Sequence, residues 1–222
     1  IKTMQKFGLP YNRDFNDGSQ YGVGLMQYTI GNGKRCDTIS SLIEPILHNK
    51  KLNIKLNTVV TKLIIENKKA IGVETVSNGR YEKIFGKEII LTAGALVTPK
   101  ILMHSGVGEE KLLKNFDIKV EENLIGVGRN LQDHHEVPFV ARAKSGFGYF
   151  KQNKGFRMIR NGIQYLLFKS GPVTSAGVDC CSFLNPENLQ NQNDPKIKLY
   201  CVQIMYTDRD TKGIKPDHGV TL

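Results

Sequence analysis

From Ile54 to Leu91 the chain alternates apolar and polar positions in short runs. Val59-Val60 with Leu63-Ile64-Ile65 predicts one strand, Ala70 to Val76 a second, and Arg80 to Phe85 a third. Asn78-Gly79 supplies the turn between the last two, because both residues accept positive φ. Lys87 to Leu91 then predicts a short apolar strand that runs into the small residues Thr92-Ala93-Gly94-Ala95. A buried strand that gives way to small residues and a helix is the shape of a nucleotide-binding turn, where main-chain N–H groups approach a ligand closely. Pro99 suits the first turn of the helix that follows, which carries Ile101, Leu102 and Met103 and stops at Gly106 and Gly108. Glu109 to Asn115 predicts one more short helix.

Helices are expected in two other places. Ile39, Leu42, Ile43, Ile46 and Leu47 line one face of a helix over 38–49, capped by Asp37 or Thr38 and kinked or split at Pro45. A second helix is expected around Phe156 to Phe168. Residues 1–35 are turn-rich, with alternating Met26, Tyr28 and Ile30 entering a tight turn at Gly31-Asn32-Gly33. The stretch 126–135 is polar, glycine-hinged and of loop character. Beyond Pro138 the texture changes: an apolar-alternating stretch and the second helix lead through Ser170-Gly171-Pro172 into Val173 to Leu184, Asn185 to Pro195 is a polar loop, and Lys198 to Met205 alternates like a strand. A domain boundary is therefore expected near residue 136. No internal repeat is visible.

Composition narrows the function classes. The 222 residues are 40% hydrophobic and 23% charged, ordinary values for a chain that buries a core. No apolar run is long enough for a membrane-spanning helix. Ile1 to Phe7 lacks the apolar core of a signal peptide, and the chain reads as an internal piece of a longer protein. Net charge is +10, yet the lysines are scattered and no nucleic-acid motif accompanies them. A solvated lysine-rich surface is the expectation, with an acidic partner or a membrane face as the alternative. Cys36, Cys180, Cys181 and Cys201 show no metal spacing; they read as buried thiols, with a disulfide through Cys201 as the alternative.

The dinucleotide fingerprint GxGxxG is absent: the Gly-x-Gly pairs at Gly22, Gly31, Gly106, Gly126 and Gly146 all lack the third glycine. No GxxxxGK[ST] loop occurs either, so a pyrophosphate cradle must come from elsewhere. Against that background Gly94-Ala95-Leu96-Val97-Thr98-Pro99-Lys100-Ile101-Leu102-Met103-His104-Ser105-Gly106-Val107-Gly108 resembles the second signature of the glucose-methanol-choline (GMC) oxidoreductase family. That signature reads small-residue pair, Ser/Thr-Pro, aliphatic pair, then Ser-Gly-aliphatic-Gly. Flanking stretches resemble the same family in the same order: Gly31 to Cys36 with its helix, Leu52 to Glu74, and Val127 to His134. Gly171-Pro172-Val173-Thr174-Ser175 with Gly177-Val178 is similar to the substrate-domain segment of insect glucose-dehydrogenase-like members.

The resemblance implies FAD bound in an α/β domain and oxidation of a CH–OH group by hydride transfer to the flavin. It implies that Val60 meets the adenine through its backbone, that Ala93 and Gly94 form the strand-end turn near the nucleotide, and that Asn130, Asp133 and His134 flank the flavin. The family's proton-accepting histidine near its C-terminus has no counterpart, and neither has its N-terminal glycine motif, so no catalytic residue is expected here. Where many members have Arg-x-Ser, this chain has Arg35-Cys36-Asp37. The other histidines have plainer readings. His104 ends a helix, His48 sits where a helix C-terminus favours positive charge, and His218 lies in a terminal loop. His134-His135 lacks a third metal ligand, and Asp133 with Arg129 reads equally as an ion pair.

The fold expected is α/β, or α+β overall. Residues 1–135 form a partial FAD-binding domain and residues 136–222 begin an antiparallel-sheet substrate domain. The small-molecule partners implied are an alcohol or sugar and a quinone or oxygen as electron acceptor. Secretion is suspected from the resemblance alone. The rival reading is a non-catalytic truncated relative, or binding module, that holds no flavin.

Overall fold

A computed structural model describes residues 1–144, 146–189, 194–206 and 215–222. A short helix α1 (Lys2–Lys6) precedes β1 (Gly22–Leu25) and the small hairpin β2 (Ile30–Gly31) and β3 (Lys34–Arg35). The hairpin turns on Asn32 and Gly33, whose φ angles of 51° and 69° explain the Asn-Gly pair. Of the strand expected over Met26, Tyr28 and Ile30, only Ile30 is paired, in β2 at the entry to the turn; the longer pairing lies earlier, in β1. The helix expected over 38–49 is also not continuous. A π-helical turn, Ile39–Ile43, passes into a 3₁₀ turn, Glu44–Ile46, with Pro45 as its second residue. Proline has no N–H to continue the ladder, so the sequence splits there. Asp37 still caps it, its Oδ1 accepting the Ser40 amide at 2.8 Å. Bonds from the Ser40 amide first and its hydroxyl second hold the Asp37 carboxyl below the usual carboxylate range.

Next come β4 (Val59–Glu66), β5 (Lys69–Ser77) and β6 (Arg80–Phe85), then α2 (Gly94–His104), β7 (Val107–Gly108), α3 (Glu110–Lys114) and β8 (Glu122–Asn123). Beyond them are β9 (Val140–Arg142), α4 (Gly155–Phe168), a 3₁₀ turn at Pro172–Thr174, β10 (Val178–Leu184), β11 (Ile197–Val202) and β12 (Gly219–Thr221). The described residues form two compact units, 49–135 on one side and 1–48 with 136–222 on the other.

The first unit is built on the antiparallel meander β4-β5-β6, in register through Leu63↔Val73 and Val73↔Ile84. The β5–β6 turn takes φ of 50° at Asn78 and 75° at Gly79, as the sequence requires of a two-residue hairpin. Thr75 is buried in the middle strand and donates its hydroxyl to Glu82 O at 3.1 Å, which removes the cost of an unpartnered buried oxygen. The strand expected over Lys87 to Leu91 is not formed. No neighbouring strand pairs with it among the described residues, and Ile90 is 76% exposed. An apolar pattern needs a ladder partner before it becomes a strand.

The second unit is a five-stranded antiparallel sheet in the order β1-β10-β11-β12-β9. Residues 1–48 belong to this unit because β1 supplies its edge strand: Gly22 pairs with Phe183 and Leu25 with Cys180. Leu9, Val23 and Leu184 form its buried cluster, with Ile1, Met4 and Leu199 against them. A β-carbon at Gly24 would strike the Asn12 carbonyl, so glycine is required where that loop crosses the strand. A bulge lies between Val178 and Cys181. All four cysteines are free thiols. Burial pushes the Cys181 and Cys201 thiols above their usual range. Modification with a disulfide reagent at mildly alkaline pH should therefore proceed at Cys36 well before Cys181 and Cys201, as site-resolved mass spectrometry would read; fastest labelling at Cys181 would contradict this packing.

Candidate functional site

The candidate residues fall on three parts of the 49–135 unit. Val60 is half-buried on β4, opposite Thr75. Strand β4 is the outer strand of the meander, so one of its edges is open to another partner. Ala93 and Gly94 stand at the start of α2, and Asn130, Asp133 and His134 lie in the exposed chain that leaves Gly128.

Helix α2 starts earlier than the pattern of Pro99 suggested. Gly94, with φ of 87°, opens it, and Pro99 lies within the helix instead of in its first turn. A first turn has three or four amides without intrahelical acceptors. Ala93 does not keep its own free: its N–H donates to Thr98 Oγ1 at 3.1 Å. No side chain caps Gly94, Ala95 or Leu96, and all of Thr92 to Leu96 is exposed. The small residues thus leave main-chain donors facing solvent, with the positive end of the helix dipole behind them. An ideal β-carbon on Gly94 would meet nothing within 4 Å, so the space before the turn is open. These are donors of the kind that hold a nucleotide's phosphate or ribose oxygens, and the segment fits such a group.

What fixes this turn in place is the other end of the signature, and the sequence reading did not single it out. Ser105 is buried; its hydroxyl donates to Ile101 O at 2.6 Å and accepts the Leu63 amide at 2.7 Å. One side chain thereby closes the C-terminus of α2 and ties it to the open edge of β4. Gly106 follows with φ of 84°, and a β-carbon there would collide with Lys119 O. Its carbonyl accepts the Glu121 amide at 2.8 Å, and β7 runs parallel to β8 through Val107↔Glu122 and Gly108↔Asn123. The signal was present in the Ser-Gly-Val-Gly string, whose chemistry is that of a tight join and not of a ligand.

The Gly126-Val127-Gly128 turn sits against the same helix. A β-carbon on Gly128 would lie 3.2 Å from Met103 Cε and 3.9 Å from Pro99 Cβ. Arg129 does not pair with Asp133; its Nη2 meets Glu109 Oε2 at 2.6 Å at the entry to α3. Asp133 Oδ1 instead accepts the amide of His134 at 2.8 Å. Val60, Ala93 and Gly94 therefore share the β4–α2 scaffold, and Asn130 leaves it one residue past Arg129. The structure does not bring Asp133 or His134 to that scaffold. His218 is better held than a terminal loop suggests, its Nδ1 3.0 Å from Phe147 O and its ring edge-on to Phe150. Among the described residues no cluster of His, Cys, Asp or Glu could hold a metal ion.

The join between β4 and α2 coincides with the part of the chain that other proteins share. The family model described as GMC oxidoreductase matches residues 1–136. The chain belongs to the GMC oxidoreductase family. A mitochondrial choline dehydrogenase of Mus musculus is 32% identical over 185 residues, which is 83% of this chain and 31% of that protein. An oxygen-dependent choline dehydrogenase of Sinorhizobium fredii is 33% identical over 221 residues, 99% of this chain and 39% of that protein. The chain thus spans well under half the length of these curated relatives. Among solved structures, a formate oxidase variant of Aspergillus oryzae RIB40 superposes with a TM-score of 0.81 at 25% identity, over 98% of this chain and 42% of the other. An FAD-dependent oxidoreductase of Chaetomium thermophilum gives 0.73 at 25% identity, over 83% and 33%. The fold is that of a flavoprotein oxidoreductase, and FAD is the cofactor that goes with it.

Replacing Ser105 by alanine leaves the buried Leu63 amide without its acceptor, and should lower the unfolding free energy by about 1–3 kcal/mol in a urea titration. Gly106→Ala should cost more than about 2 kcal/mol, from positive φ and the Lys119 collision together. Exposed Lys87→Ala is the reference and should stay within about 0.5 kcal/mol of the parent. Equal effects from all three would refute the join.

Proposed function

We propose that the chain is part of an FAD-dependent oxidoreductase that oxidises a CH–OH group of an alcohol or sugar. The observation that carries this reading is the uncapped start of α2, with Gly94, Ala95 and Leu96 offering amides at the start of a family signature. FAD, when bound, supplies the hydride acceptor. The residues of this chain hold and orient it: β4 around Val60 offers an open strand edge, and the amides after Ala93 offer donors to the nucleotide. Asn130, Asp133 and His134 are assigned to the flavin side of the same cofactor.

A choline dehydrogenase and a formate oxidase among the similar proteins support a small polar substrate. Within that class we favour an insect glucose-dehydrogenase-like sugar or alcohol, on the Gly171 to Val178 segment, with a quinone or oxygen as electron acceptor. The proton-accepting imidazole and the pyrophosphate loop are assigned to further polypeptide, so this chain alone has no turnover. The span of 31–39% of the relatives' lengths is consistent with that division. A secreted location is proposed on the same resemblance.

The test is uptake of flavin. The chain incubated with FAD and passed through gel filtration should carry flavin absorbance with the protein peak. Gly94→Val should weaken that binding at least about tenfold, because a branched side chain at this positive φ reshapes the first helical turn. A chain that melts cooperatively, stays monomeric and takes up no flavin would favour the non-catalytic binding module instead.

A further inference from the structure

Helix α4 is turned the opposite way from an ordinary surface helix. Its most buried residue is Asn161, at 3% exposure, whose Nδ2 donates to Gln152 O at 3.0 Å. Gln164 and Tyr165 beside it are half-buried. On the other side Phe156, Ile159, Ile163, Leu166 and Leu167 are between 52% and 79% exposed. At 3.6 residues per turn those five side chains fall on one stripe roughly 100° wide. The polar face is inside and the apolar face outside, and an exposed contiguous apolar surface of this kind marks an interaction site.

The charge around the helix says what covers it. From Val137 through Val178 the sequence has seven cations and no aspartate or glutamate, in a chain that otherwise carries 21 carboxylates. Lys154 precedes the helix, Lys169 follows it, and Arg157 and Arg160 run along one margin of the stripe. None of these four makes an ion pair among the described residues. A second copy of the chain is a poor occupant, since a two-fold contact would set these cations against themselves. A lipid surface supplies both phases at once, acyl chains for the stripe and negative headgroups for its margin.

We infer that α4 lies on an anionic membrane surface, with Phe156, Ile159, Ile163, Leu166 and Leu167 in the acyl boundary and the flanking cations at the headgroups. The helix is ~21 Å long, and no helix among the described residues is long and apolar enough to cross a membrane. It rests in the plane of the interface. This inference is independent of flavin binding, since none of its residues belongs to the β4–α2 scaffold.

Co-sedimentation of the 222-residue chain with vesicles tests it, comparing phosphatidylcholine containing phosphatidylserine with phosphatidylcholine alone. The chain should pellet with the anionic vesicles, release with added salt, and leave the neutral ones. R157Q/R160Q should weaken binding about 25-fold, near fivefold for each arginine. I163E/L166E should abolish it, while circular dichroism stays at the parent helicity because both residues face outward. Equal binding to both vesicle types, binding to neither, or anionic binding that survives I163E/L166E would overturn the inference. A dimer in ultracentrifugation that I163E/L166E dissolves would assign the stripe to a second copy.

Discussion

The structure of the 49–135 unit depends on one hydroxyl. Ser105 receives the Leu63 amide and gives its proton to the Ile101 carbonyl, so an outward-facing strand edge and a helix C-terminus are satisfied by the same atom. Both groups are costly to leave unpaired when buried. Without that bridge α2 has no fixed height along β4. The position of its first turn, eleven residues away, would then be set only by side-chain packing. The glycines on either side of Val107 extend the lock: Gly106 lets the chain reverse under Lys119 and Gly108 admits the short parallel pairing with Asn123.

This gives the signature a division of labour. Its first half offers donors and its second half holds them still. Thr98 takes the Ala93 amide, which shifts the free donors toward Gly94, Ala95 and Leu96. Met103 and Pro99 form the bed for the Gly128 turn, from which the chain departs toward Asn130. Family membership and the flavoprotein fold are consistent with this arrangement, since a preorganised first turn is what a dinucleotide site needs.

Much of this was legible because local rules and tertiary context agree. Asn78-Gly79 and Asn32-Gly33 specify their turns by backbone sterics alone, and the β4-β5-β6 periodicity survives because Leu63 and Thr75 are buried. Pro45 split its helix as its missing N–H dictates. The failures are places where a distant partner decides. Lys87 to Leu91 has strand composition but no ladder neighbour among the described residues. Pro99 fits a first turn locally, yet the helix extends back to Gly94. Arg129 had a carboxylate nearby in sequence at Asp133, but folding brings Glu109 closer. The packing of residues 1–48 with β10 is a pairing across more than 150 residues, which no window of sequence contains. Helix α4 lies where the sequence placed a helix, around Phe156 to Phe168, but which face turns inward is decided by Asn161 and Gln152.

The central claim is that Ser105 ties α2 to the edge of β4, and amide hydrogen exchange at Leu63 reads that bond directly. In the parent chain the Leu63 amide should be protected as strongly as its neighbours in the β4–β5 ladder, and in Ser105→Ala it alone should lose at least about tenfold of that protection. Fast exchange at Leu63 in the parent, or unchanged protection in the variant, would contradict the account.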